Sequence, residues 1–259
     1  MGVVRYEVSD RVGTITIDRA ERRNALNTDV LAELRANLAR ARDDDDVHVI
    51  VLTGAGDRAF SAGGDLAPGK SLGGGPLKMH WDRAEFVETL LDFRRVHKPI
   101  VGRINGDALG GGFGLLLACD IVIAREDARL GCPEINVGLF PMMIMALIFR
   151  NVPQKLGMEM ILTGRKIRAH EAVPYGFLNA VVPVEELDAT VSEMCQQLAS
   201  KSPAVLKLGL EAYYTMADMD LEHALRYLQG CLTVNTLSAD AAEGIMAFLQ
   251  KREPNWKGR

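Results

Sequence analysis

Hydrophobic and polar positions divide the chain into two regimes. Val12-Gly13-Thr14-Ile15-Thr16-Ile17-Asp18 alternates with period two, as a half-buried strand does. A polar turn, Arg19 to Asn24, leads to a stretch in which Val30, Leu31, Leu34 and Leu38 recur on one helical face, with Asn27 or Thr28 available as the cap. Asp43 to Asp46 ends that helix. Val47 to Leu52 is almost wholly apolar and predicts a strand covered on both faces. Ala84 to Val96 reads as helix, Ile100 to Ile104 as strand, Asp120 to Ala124 and Ala128 to Gly131 as short strands, and Pro133 to Pro141 as a loop. Met142 to Phe149 and Lys155 to Leu162 are helical, Ile167 to Gly176 is a helix-and-turn unit, and Val181 to Val184 is a last strand. From Glu185 onward only helical periodicity remains, broken at Ser202-Pro203 and at Asp218 to Asp220. Ser238 caps a final helix that ends near Lys251. Strands mixed with helices followed by helices alone predict an α/β fold, divided into residues 1–200 and a helical region 201–259. No sequence repeat is evident.

Composition narrows the class. The chain has 259 residues, 48% hydrophobic and 25% charged, which is ample for a core. A net charge of −4 with no basic block points away from a nucleic-acid partner. Cys119, Cys132, Cys195 and Cys231 are scattered without metal-ligand spacing and read as buried thiols of a reducing compartment. Met1 to Tyr6 runs straight into strand-like sequence, and no apolar stretch is long enough to span a membrane. The expectation is a cytoplasmic enzyme or binding protein without membrane insertion.

The candidate chemistry lies in two glycine-bearing turns that follow strands. One is Arg58-Ala59-Phe60-Ser61-Ala62-Gly63-Gly64-Asp65-Leu66. The other is Asn105-Gly106-Asp107-Ala108-Leu109-Gly110-Gly111-Gly112-Phe113-Gly114, opening a buried helix that runs to Asp120. Glycines there let a ligand or another backbone approach, and a helix start bares N–H groups where the dipole favours negative charge. The turn suits a standing anion or a charge that exists only during reaction. Gly64 to Ser71 spells G-x-x-x-x-G-K-S, but Leu72-Gly73-Gly74-Gly75-Pro76 follows, where a phosphate loop requires a helix. Residues 67–80 read instead as a loop. Gly110 to Gly114 contains no dinucleotide fingerprint in any frame. Ser61 as a nucleophile lacks a base, because no histidine falls in a recognisable loop motif, and His48 and His97 sit in or beside apolar runs. Glu134 is the most informative charge. Its neighbours Ile135, Val137 and Leu139 suggest an apolar wall, where a carboxylate has a raised pKa and moves protons near neutrality; the plain alternative is a solvated loop glutamate.

With these motifs in order, the sequence resembles the crotonase superfamily, the enoyl-CoA hydratase/isomerase family. The likeness runs from Gly13 to Lys251 and is strongest over Ala59 to Leu66, Asn105 to Asp120, and Gly131-Cys132-Pro133-Glu134 with Gly138 and Pro141. It implies a spiral of ββα units and a C-terminal helical region that builds trimers or hexamers. It implies acyl-CoA thioester substrates, with coenzyme A as part of the substrate and no separate cofactor or metal. Carried onto this chain, the oxyanion donors are the amides of Ala62 and Gly111, and the acid/base is Glu134. Substrate contacts fall on Arg22, Arg23, Ala25, Ala59, Ser61, Gly63, Asp65, Leu66, Gly110, Met142, Phe248 and Lys251, the last two sometimes from a neighbouring subunit. Hydratases of the family carry a second glutamate where this chain has Gly114, and often a glycine where it has Met142. One glutamate is enough to move a proton between two carbons, so the resemblance favours 3-enoyl to 2-enoyl-CoA isomerisation. Hydration with a substitute acid, for which Asp107 is the candidate, is the alternative, and an acyl-CoA-binding relative without turnover is the reading of another class.

Overall fold

An N-terminal hairpin, β1 (Val4–Ser9) and β2 (Val12–Ile17), precedes a move that the chain repeats three times in the computed structural model, which describes residues 2–65 and 75–259. After α1 (Thr28–Asp43) come β3 (Val49–Gly54), β4 (Ala59–Ser61) and α2 (Gly75–Arg95). Next are β5 (Ile100–Ile104), β6 (Asp107–Leu109) and α3 (Gly111–Ala118). The third pass is β7 (Ile121–Arg125), β8 (Arg129–Gly131), a 3-10 turn over Pro133–Val137, then α4 (Met145–Asn151) and α5 (Gln154–Thr163). In each pass the first strand joins one sheet and the second joins another. The sheets have the orders β1-β2-β3-β5-β7-β10 and β4-β6-β8-β9, closed by β9 (Lys166–Arg168), α6 (Ala169–Ala172) and β10 (Ala180–Val182). Only β1 and β9 run antiparallel to their neighbours. This is the expected ββα spiral. The passes share geometry rather than residues, which is why no repeat shows in the sequence.

The centre of the large sheet is buried on both faces, as the apolar run Val47 to Leu52 foretold. Ile50 and Leu52 point into the main core with Ile15, Ile17, Leu34, Phe60, Phe93 and Ile104. Val49 and Val51 point the other way, where α7 (Leu187–Ala199) covers them with Leu187, Val191 and Cys195. Asn27 is the cap of α1, its side chain accepting the Val30 N–H at 2.9 Å. Two buried asparagines tie the turns to the strands. Asn24 donates to the carbonyls of Ala55 and Ala59 and accepts the Arg19 N–H, and Asn105 accepts the Gly54 N–H and donates to Gly56.

Several boundaries differ from expectation: β3 is Val49–Gly54 rather than Val47 to Leu52, Ile167 lies in the strand β9 rather than in a helix-and-turn unit, and two helices start elsewhere. α2 begins at Gly75, nine residues before the apolar periodicity at Ala84. Its first turns face outward, with Leu77 76% and Trp81 69% exposed, so no burial pattern marks them. Pro76 does not oppose the start, because the N–H it lacks would have no partner in a first turn. α4 begins at Met145 rather than Met142, since Pro141 opens a turn whose carbonyl accepts the Met145 N–H at 2.9 Å. The cysteines also depart in part: Cys132 and Cys195 are buried, Cys119 and Cys231 half-buried.

The chain ends in α8 (Pro203–Met216), α9 (Leu221–Thr236) and α10 (Ala239–Gln250), capped by Ser202, Asp220 and Ser238. Tyr214 on α8 donates its hydroxyl to Asp120, which also accepts the Ile100 N–H at 2.7 Å. Arg94 on α2 donates to the Tyr214 carbonyl at 2.6 Å, and Arg94 and Arg150 both pair with Asp218. No described helix is long and apolar enough to cross a membrane.

Candidate active site

In the small sheet β4, β6 and β8 are parallel neighbours. Adjacent strands lie about 4.8 Å apart, and ligands of parallel sheets bind beyond the carboxyl ends. Those ends deliver Ser61 to Asp65, Gly110 to Gly114, and Cys132 to Glu134 to one place. The glycines allow the closeness. A Cβ on Gly63 would lie 2.7 Å from the Leu109 carbonyl oxygen and 3.0 Å from the Gly111 nitrogen. A Cβ on Gly110, whose φ of +53° already favours glycine, would lie 2.9 Å from Glu134 Oε1.

The amides sort themselves by partner. Ala62, expected as an oxyanion donor, gives its N–H to the Arg23 carbonyl at 2.9 Å and is not available. The Gly63 N–H goes to Ser61 Oγ at 3.2 Å. Leu26 pairs with Gly64 as one parallel bridge: the Leu26 N–H binds the Gly63 carbonyl, and the Asp65 N–H binds the Leu26 carbonyl. That pairing turns the N–H of Gly64 away from Leu26, and it has no partner among the described residues. Gly111 is the first residue of α3, where an N–H has no intrahelical acceptor, and Gly110 offers no side-chain cap. Gly64 and Gly111 are therefore free amides on adjoining turns, and Gly64 lies two residues beyond Ala62, the donor carried over by motif. The misplacement has a simple cause: which amide is left over depends on what Arg23 and Leu26 consume, and neither is part of the motif.

Glu134 faces these donors from the third strand end. Its Oε2 is buried without a hydrogen-bond partner. Burial raises its pKa above the ordinary 4.5, and a bond from its own N–H offsets this only in part. The 3-10 turn holds it, with the Leu139 N–H on the Glu134 carbonyl at 3.0 Å. Ile135, Val137 and Leu139, expected to form an apolar wall, are exposed within the chain. The wall is made by others: Leu26 Cδ1 and Phe86 Cζ come within 3.2 and 3.5 Å of a Cβ built on Gly111.

The remaining expected residues divide. Ser61 is buried, donates to the Asn24 carbonyl at 2.8 Å and shapes the turn, so it is no nucleophile. Ala59 and Ala25 are buried beside it, and Ala25 accepts Arg19 at 2.6 Å. Asp65 pairs with that same Arg19 at 3.0 Å, tying the two turns together. Arg22 and Arg23 are exposed on the first turn. Met142 is 65% exposed, and the side chain that reaches α3 is Ile144 instead. Asp107 is spent on Arg129, with Oδ2 2.5 Å from its guanidinium, and supplies no substitute acid. Phe248 and Lys251 lie at the end of α10, which packs on α8 and α9. Leu66, and with it most of the Gly64 to Ser71 stretch, lies outside the described residues. A cavity of about 710 Å³ lined by Glu126, Asp127, Arg168 and His170 contains none of the site residues. No cluster of metal-ligating side chains occurs among the described residues.

The sequence model of the enoyl-CoA hydratase/isomerase family aligns with residues 7–259. The chain belongs to this family. Carnitinyl-CoA dehydratase of Escherichia coli K12 is 34% identical over 257 residues, covering 95% of this chain and 94% of its own. A probable mitochondrial enoyl-CoA hydratase of Dictyostelium discoideum is 32% identical, covering 98% and 90%. The crystal structure of enoyl-CoA hydratase from Bacillus anthracis superposes with a TM-score of 0.93 at 32% identity, covering 99% of this chain and all of that one. As a family member the chain is an acyl-CoA enzyme with the crotonase fold. Helix α3 carries no carboxylate from Gly111 to Ala118, and Gly114 stands where the resemblance implies a second glutamate.

Proposed function

We propose that this enoyl-CoA hydratase/isomerase family member moves a carbon–carbon double bond from the 3- to the 2-position of an acyl-CoA. The carboxylate of Glu134 takes a proton from C2, next to the thioester. The N–H groups of Gly64 and Gly111 hold the thioester oxygen while it carries the enolate charge, and Glu134 returns the proton to C4. Each such donor is typically worth about 3–4 kcal/mol of barrier. The observation that carries this reading is Glu134 Oε2, buried and unpartnered, beside two unclaimed amides and a helix whose second-glutamate position is Gly114. Hydration is the second reading, favoured by the names of the relatives.

Incubating the enzyme with 3-enoyl- and 2-enoyl-CoA and following products by mass spectrometry separates them. Isomerisation leaves the mass unchanged and hydration adds water. Water addition at least as fast as double-bond migration would overturn the proposal, and no turnover of either class would favour a binding protein. Arg22, Arg23 and, from a neighbouring subunit, Phe248 and Lys251 are proposed to hold the nucleotide end, in a cytoplasmic trimer or hexamer.

A further inference from the structure

The place that Gly114 leaves open on α3 is already filled. A Cβ built on Gly114 would lie 2.3 Å from Ile144 Cγ2, 3.2 Å from Ile144 Cβ and 3.6 Å from Phe86 Cζ. Real Cβ contacts do not close below 3.0 Å, so even alanine requires Ile144 to move. Ile144 is 3% exposed, and its carbonyl accepts the N–H groups of Leu147 and Ile148 at 2.9 Å each, which fixes its backbone at the head of α4. A β-branched side chain has few rotamers to retreat into. Here α2, α3 and the turn after Pro141 meet in a seam whose nearest atoms are all carbon.

We infer that Ile144 is the specificity-determining residue that keeps water addition out of this site. The inference deepens the isomerase reading and rests on it. Hydration forms a C3–O bond from water and a C2–H bond, with one carboxylate taking the proton that water loses and another supplying the proton to carbon. Isomerisation breaks one C–H bond at C2 and makes one at C4, with Glu134 as the carrier and nothing else consumed. Ile144 occupies the volume from which a second carboxylate on α3, or a water held by it, would reach the substrate. Gly114 and Ile144 are therefore one device: the glycine removes the acid, and the isoleucine closes the gap it leaves.

The test is a set of variants read by melting midpoint and by the ratio of water addition to isomerisation. Alanine is ordinarily the better helix former, but Gly114→Ala should lower the midpoint by about 5 °C through overpacking. An unchanged or raised midpoint overturns the inference. Gly114→Glu combined with Ile144→Gly should raise the ratio about tenfold or more over wild type, whereas Gly114→Glu alone should lose both stability and activity. A folded double variant with an unchanged ratio overturns the inference. Should that double variant fail to fold, Gly114→Glu with Ile144→Ala decides, with a rise in the ratio expected and no change counting against. Wild-type behaviour on the two substrates judges the isomerase reading separately, because the inference concerns the change between variants and the Gly114→Ala midpoint.

Discussion

Glu134 is an acid placed where both water and partners are withheld from one of its oxygens. Glu134→Gln keeps the shape and removes the proton carrier, so turnover should fall by about 10³-fold with acyl-CoA affinity nearly unchanged, as steady-state kinetics and equilibrium binding would show. The same burial sets two pH dependences. The free enzyme needs the ionised form, so kcat/KM should decline on the acid side through a pKa above 4.5, the ordinary value. For stability the sign is opposite. A carboxyl whose folded pKa is raised holds its proton more tightly in the folded chain, so its contribution is greatest below 4.5 and is lost as pH rises through the folded value. Glu134→Gln should therefore melt above wild type at pH 8, with the gap closing toward acid, and a variant that melts lower at pH 8 would contradict this. At this scale local context was enough to single out Glu134 and Gly111, which the structure brings to one place. It misled at Ala62 and Met142. The partner of an amide and the direction of a side chain at a helix head are settled by Arg23, Leu26 and Phe86, residues distant in the chain.

Among the elements, α8 is held to the core by a polar clasp rather than by a large apolar face. Desolvation raises the pKa of the half-buried Asp120 despite bonds from Tyr214 and Ile100, and desolvation, with the Asp120 charge beside it, pushes up the half-buried Tyr214 phenol as well. Tyr214→Phe leaves that carboxylate with one fewer donor and should cost about 1–3 kcal/mol in denaturant unfolding. A loss of less than a few tenths would mean that solvent reaches Asp120. Nothing in the pattern around Tyr214 marks this clasp, because its two ends lie far apart in sequence. Elements with a burial period were legible nearly to the residue, as α1 and α10 show, while the continuous apolar run that marks β3 begins two residues before the strand. α2 was legible only where its inner face begins, and its outward first turns carry no signal that periodicity can register.

At the scale of the molecule, the C-terminal helices hold apolar side chains that the chain itself does not cover. Leu206, Leu208, Leu210 and Leu228 are half-buried within it, but Leu225 is 60%, Leu237 81% and Phe248 83% exposed. Such a surface is more than a monomer normally shows to water. Sedimentation at micromolar concentration should give a trimer or hexamer, and a monomeric mass would refute this. Lys251→Ala should weaken CoA binding in a salt-dependent way, and equal affinity at low salt would remove Lys251 from the site.

The three strand ends that form the site come from three successive passes of the spiral, and this ordering has a consequence in time. Gly64, Gly111 and Glu134 meet only after β4, β6 and β8 have paired, and those pairings join residues tens of positions apart. Loop closure must be completed before they give any return, so they form slowly. The helices after Glu185, built from local contacts, regain their secondary structure sooner. During refolding, far-ultraviolet ellipticity should lead and turnover should lag, returning with the last step that closes the small sheet. On the ribosome the same logic leaves the nascent chain inert until the segment carrying Glu134 has emerged and docked. On the proposed mechanism the enzyme then acquires its acid last, after the cradle for the charge it creates.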